Sequence, residues 1–165
     1  MVANDAHLHL LLNHLPIIGA LVSTLLLACG LAVRSKDLTR AAFALTLLFA
    51  VVTYPAAGSG REAEDVIEKM AGVSEDRIEV HEERAEKAVV AMYASGALAL
   101  LGLALGMRGE APRWAAVLCL VLLIATSGLM GWTGKAGGEI HHPETRPGFV
   151  APEASGNGDE NEHNQ

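Results

Sequence analysis

Four long apolar stretches alternate with polar segments along this chain. They cover residues 15–33, 41–57, 88–107 and 114–132. Each is close to the roughly 20 residues that an α-helix needs to cross the hydrocarbon core of a bilayer. Because a backbone in lipid must satisfy its own polar groups, each stretch should be helical. The pattern predicts an all-α integral membrane protein built as a four-helix bundle.

Polar and helix-breaking residues predict where the first two helices begin and end. Asn13 should cap the first helix, with Pro16 in its first turn, where a missing N–H costs little. The segment "YPAAGSG" at residues 54–60 should end the second helix. Residues 61–71 place apolar side chains on one face, which predicts a short amphipathic helix at the membrane surface.

The second half of the chain follows the same logic. Ser74 should cap a third helix that runs to about Met107, with its first turns outside the lipid. After Trp132, glycines in residues 133–146 should let the chain turn over the mouth of the bundle. Residues 147–165 are rich in Pro, Gly, Asn and acidic side chains. We therefore expect a transmembrane domain over residues 1–146 and a disordered acidic outer tail over residues 147–165.

Charge predicts the orientation and excludes one class of partner. The short segments 34–40 and 108–113 are basic, and all of the 19 acidic residues except Asp37 and Glu110 lie on the other side of the predicted membrane. Lys and Arg favour the cytoplasmic side, so both termini should lie outside, as expected for a multi-pass protein of the bacterial inner membrane. A net charge of −7 argues against nucleic-acid binding.

Histidines cluster on the outer side of this predicted topology. Six of the seven flank the apolar stretches there: His7, His9, His14, His81, His141 and His142. Ionisable side chains in or near lipid are costly and usually bind a ligand or handle protons. No nucleophile motif, phosphate-binding loop or Ser-His-Asp pattern accompanies them, which favours a non-catalytic subunit over an enzyme.

The first interpretation of this cluster is a haem b held by His14 and His81. These residues begin the first and third helices, which are diagonal in a sequential bundle, and bundles bind cofactors between facing helices. Two axial imidazoles give an electron-transfer centre. Counted from the basic loops, His14 lies about 10 Å deeper than His81, which is a mismatch in height. His9 lies about 140° round the helix from His14, so the two cannot face one cofactor.

Two other interpretations stay open. A non-haem site for Zn, Cu or Fe would use imidazoles with carboxylates, and its ligands would be His7, His141, Glu82 and Glu139. Alternatively, the histidines are structural and are satisfied by water, headgroups and neighbouring glutamates. We expect this last state for His9 and His142.

Short motifs resemble a family of small bacterial four-helix inner-membrane proteins classed as a domain of unknown function. "NHLPIIG" at residues 13–19 is similar to the family's opening "VHFPIAL" type motif, and "YPAAGSG" to its turn after the second helix. His81 matches a histidine that begins the third helix, and "SGLMGWTGKAGGEIHH" at residues 127–142 resembles the closing "GYLGGELVY" type segment. Some relatives are joined to Rieske or cytochrome c domains.

The resemblance implies redox work at the outer face, with His14 and His81 as the positions carried over. We therefore expect a haem b electron-transfer subunit in the lipid bilayer, within a larger quinone-linked complex or a homo-oligomer, that exchanges electrons with a periplasmic redox protein or a quinone. The alternative is an outward-facing metal-binding or transport accessory protein without haem.

Overall fold

The structure is a computed structural model, and it describes residues 5–69, 73–107, 109 and 112–150, without the side chains of Asp5, Ala6, His141 and Pro143. The regular elements in these ranges are all helical. They are α1 (Asp5–Leu12), α2 (His14–Ala32), α3 (Lys36–Ile67), α4 (Glu75–Gly106), α5 (Arg113–His141) and a 3₁₀ turn (Pro143–Thr145).

Four helical segments are long and apolar enough to cross a membrane, with α1 and α2 forming one segment over His7–Ala32. The predicted all-α membrane fold is therefore confirmed. Helices α2, α3, α4 and α5 form a closed ring in chain order, and α1 packs on α3. The connections α2–α3 and α4–α5 lie at one end. We call the opposite end, formed by α1, the last turns of α3 and α5 and the first turns of α4, the polar end.

Small residues set the spacing of the bundle. A side chain on Gly102 would meet the ring of Phe43 at 2.6 Å, and one on Gly96 would overlap the methyl group of Ala50. Close approach of this kind lets van der Waals contacts hold membrane helices together. The interior between them is filled by two clusters of buried residues, one of which contains Leu27, Phe43, Ala99, Cys119 and Leu123 and the other Ala20, Ala50, Ala88, Met92 and Met130.

The sequence predicted that Asn13 caps the first helix, but the structure shows no such cap. Asn13 has helical backbone angles, its N–H bonds to the His9 carbonyl at 2.9 Å, and its side chain caps nothing. The helix therefore continues back through α1. Pro16 explains the short interruption at Asn13, because proline cannot donate to the carbonyl of Leu12 and its ring crowds that group.

The predicted surface helix at 61–71 is also corrected. Residues 61–67 are the last turns of α3, which continues through Pro55 without a break. Ala56, Ser59 and Ala63 are buried at helical spacing, so tertiary packing stabilises a segment whose glycine content is poor for an isolated helix. Residues 70–72 lie outside the described part of the chain.

The predicted start of α4 is confirmed, whereas the predicted end of α5 is wrong. Helix α4 begins after Ser74, as predicted, although the Ser74 side chain makes no capping bond. Helix α5 does not stop near Trp132 but continues to His141. Arg146 donates from Nε to the Glu139 carbonyl at 2.8 Å and from Nη2 to the Ile140 carbonyl at 3.1 Å, which satisfies the end of α5. Most of the predicted tail, residues 151–165, lies outside the described residues.

Candidate functional site

His9 is the histidine of the first segment that faces the bundle. It is half-buried on α1, and its Nδ1 lies 3.2 Å from the Ser59 hydroxyl of α3. The Ser59 hydroxyl donates its own proton to the Ala56 carbonyl at 2.8 Å. In the tautomer protonated at Nδ1, the hydroxyl oxygen accepts from His9 and Nε2 keeps its lone pair.

His81 repeats this arrangement between α4 and α5. It is half-buried on α4, and its Nδ1 lies 3.1 Å from the Thr133 carbonyl of α5. A carbonyl can only accept, so Nδ1 carries the proton and Nε2 keeps its lone pair. An Nδ1–H bound to a backbone carbonyl is the usual way in which proteins orient a ligating imidazole.

Each ring packs against a glycine of the neighbouring helix. A side chain at Gly60 would come within 3.2 Å of Cε1 of His9, and one at Gly137 within 3.1 Å of Cε1 of His81. These two glycines belong to segments that the sequence predicted to be turns. Their helical spacing from buried neighbours, Ala56 to Gly60 and Thr133 to Gly137, is the signal that could have placed them in helices.

The two half-buried imidazoles lie near each other. His81 and, to a smaller extent, His14 are close enough to His9 to interact with it electrostatically. Helix geometry explains why His9 reaches this level and His14 does not, since five residues of helix raise His9 by about 7 Å. This rise accounts for most of the height mismatch that the sequence predicted between His14 and His81.

His14 makes its hydrogen bond within its own segment. Its imidazole is exposed, and its Nδ1 donates to the Leu10 carbonyl of the same segment at 3.0 Å. Among the described residues, no hydrogen bond or ion pair joins His14 to His81, so the pairing of these two residues stays a prediction. His9 was expected to be structural and satisfied by water, headgroups and neighbouring glutamates; the polar partner that the structure gives it is the Ser59 hydroxyl of the unbroken α3.

The other histidines lie at the edge of the polar end. His7 is exposed on α1. His142 is exposed and lies 2.9 Å from the Glu144 carboxylate. A hydrogen bond from its own backbone N–H and one from His142 lower the pKa of Glu144. The backbone of His141 ends α5, and its side chain lies outside the description.

The carboxylates of the alternative metal site have different partners. Glu139 binds Arg77 at 3.0 Å and lies 3.9 Å from Lys135. The Glu82 carboxyl group lies near that of Glu64 on α3. Within the described residues, no group of three or more His, Cys, Asp or Glu side chains is arranged to hold a metal ion.

Comparison of the chain with known protein families, curated proteins and solved structures found no match.

Proposed function

We propose that this protein is a membrane electron-transfer subunit that binds haem b at its polar end through Nε2 of His9 and Nε2 of His81. One observation carries the proposal. Both imidazoles are half-buried at the same end of the bundle, and each has its Nδ1 held by a protein oxygen. Histidine side chains fixed in this way present Nε2 as a ligand.

The donor set fits haem better than a metal ion held by protein ligands alone. A porphyrin supplies four nitrogens, so two imidazoles complete six-coordinate iron. A tetrahedral zinc site needs three or four protein ligands. Gly60 and Gly137 let each ring pack closely on the neighbouring helix, which helps to fix its position. When bound, the haem would supply reversible one-electron transfer.

The protein's own residues would orient the group and keep part of it from water. Ser59 and the Thr133 carbonyl fix the rotation of each imidazole, and the bundle beneath them is apolar. The polar end lies opposite the basic connections, so positive-inside orientation would put it at the periplasmic face of the inner membrane. There the subunit would exchange electrons with a periplasmic redox protein or a quinone-linked complex.

A second candidate function is metal binding or transport without haem. The proximity of the Glu64 and Glu82 carboxyl groups favours it, because two neighbouring carboxylates repel and a cation would relieve that repulsion. Zn, Cu or Fe would bind Glu82 with His7 or His141, and Glu139 would join only after release from Arg77.

The test is the reduced-minus-oxidised absorption spectrum of the detergent-purified protein. Wild type should show low-spin haem, and His9→Ala and His81→Ala should each remove that signature because six-coordination needs both imidazoles. His14→Ala is the matched control on the same segment and should keep it, as should His142→Ala.

Two outcomes would contradict this assignment. A loss of low-spin haem in His14→Ala but not in His9→Ala would show that the two haem ligands are His14 and His81. Colourless wild-type protein that carries stoichiometric metal in elemental analysis would favour the second function. Helical circular dichroism at matched concentration shows that each variant has folded.

A further inference from the structure

A cleft of about 390 Å³ opens between the first turns of α4 and the last turns of α5, outside the imidazole pair. Its lining is both charged and apolar and includes Asp76, Arg77, Val80, Arg84, Ala136 and Glu139.

Trp132 indicates where the cleft lies relative to the membrane. The Arg84 guanidinium lies 4.2 Å above the centre of the Trp132 ring and donates to the Trp132 carbonyl at 3.4 Å. Trp132 ends the fourth apolar stretch and is 45% exposed. Tryptophan is enriched where hydrocarbon meets headgroups. The cleft therefore lies at the boundary between the apolar and the polar parts of the bundle.

Two arginines in the cleft are fixed by protein contacts that use only some of their N–H donors. Arg77 uses Nη1 on the Glu139 carboxylate at 3.0 Å, and Arg84 is fixed by Trp132. A guanidinium has five N–H donors, so each arginine retains donors for a ligand. Arginine forks match the oxygens of a phosphate group and form charge-assisted hydrogen bonds with it.

We propose that this cleft binds the phosphate of a phospholipid headgroup, independently of the haem proposal. The acyl chains would lie on exposed apolar side chains of α5 such as Val121 and Ile124. The carboxylates of Asp76 and Glu139 in the cleft would repel a free phosphate dianion more than a singly charged phosphodiester. Val80 and Ala136 add apolar contacts that a phospholipid can make and inorganic phosphate cannot.

Native mass spectrometry of the full-length protein in non-ionic detergent tests this proposal. With phosphatidylglycerol added, Arg84→Gln should lower the retained lipid about tenfold, since a charge-assisted contact is lost. Lys87→Gln is the matched control, because Lys87 lies on the same helix but pairs with Glu83 at 2.7 Å. It should retain lipid as wild type does.

Further measurements distinguish recognition of a phospholipid headgroup from binding of lipid chains alone and from binding of free phosphate. A neutral glycolipid without phosphate should be retained poorly, and inorganic phosphate should not displace phosphatidylglycerol. Arg84→Lys keeps the charge but loses the fork, so it should retain an intermediate amount of lipid and remain informative if Arg84→Gln fails to fold. Retention in Arg84→Gln equal to wild type, equal retention of the glycolipid, or displacement by inorganic phosphate would each overturn the proposal.

Discussion

Single small residues determine how closely the helices of this bundle approach one another. Gly96 faces Ala50 across the α3–α4 contact, and Gly102 lies under Phe43. Hydroxyl groups add to this packing where side chains meet in the interior. The Ser95 and Thr126 hydroxyls lie 3.0 Å apart between α4 and α5, and both are buried. Interhelical hydrogen bonds of this kind help to hold membrane helices together.

The first prediction concerns Gly96. Gly96→Ala should destabilise the protein by about 1–3 kcal/mol, because the new methyl group meets the Cβ of Ala50, which cannot move without its helix. Gly128→Ala is the control, since a side chain there meets nothing within 4 Å. The control should equal or exceed wild type, as alanine is the better helix former. Thermal unfolding in detergent, followed by circular dichroism, measures both variants, and equal stability of the two would contradict the packing argument.

At the scale of elements, the helix ends are satisfied by the chain itself. The end of α2 has Arg34 in a left-handed conformation at φ 56°, followed by a bond from the Ser35 N–H to the Gly30 carbonyl at 2.9 Å. This is a Schellman-type ending, in which glycine is the usual left-handed residue. At the end of α4, the Arg40 guanidinium donates to the carbonyls of Gly106 at 3.0 Å and Gly109 at 2.9 Å.

The left-handed residue gives the second prediction. Arg34→Gly should raise stability by about 0.5–1 kcal/mol, because glycine adopts this conformation without the clash of a Cβ. Arg34→Ala removes the same charge but keeps the Cβ, so it should give no such gain. A gain in both variants would mean that charge, and not backbone strain, is responsible. The measurement is again thermal unfolding in detergent at matched protein concentration.

At the scale of the whole molecule, charge divides the bundle into two unlike ends. The polar end carries most of the acidic side chains and the half-buried imidazoles, whereas the short connections at the other end are basic. Such asymmetry orients a membrane protein during insertion. It would also favour a positively charged partner at the polar end.

Orientation gives the third prediction. In a background of Cys29→Ala and Cys119→Ala, an impermeant thiol reagent applied to intact cells should label Glu79→Cys and leave Lys36→Cys unlabelled. Both positions are exposed and lie at opposite ends of the bundle, so accessibility within the protein does not separate them. Labelling of Lys36→Cys alone would reverse the orientation and place the imidazole pair at the cytoplasmic face. Lysis before labelling is the positive control for both variants.

The sequence by itself determined the four membrane-length helices and the grouping of histidines at one end. Both depend on local properties. Apolar length decides whether a segment can span a bilayer, and an even number of spans returns the chain to the same side. The start of α4 after Ser74 was also predictable, because serine before a charged first turn is a local helix-start signal.

Only the tertiary structure decided which histidines face the bundle. Local propensity favours a helix break at the glycines of segments 58–60 and 137–138. Packing of these segments on α1 and α4 stabilises them as helix instead. A helix that continues back to Asp5 turns His9 toward Ser59 and His14 toward the surroundings. The rotation of an imidazole depends on which oxygen of another helix reaches its Nδ1, and contacts such as that of His81 with Thr133, 52 residues away in the chain, are not encoded in any local pattern.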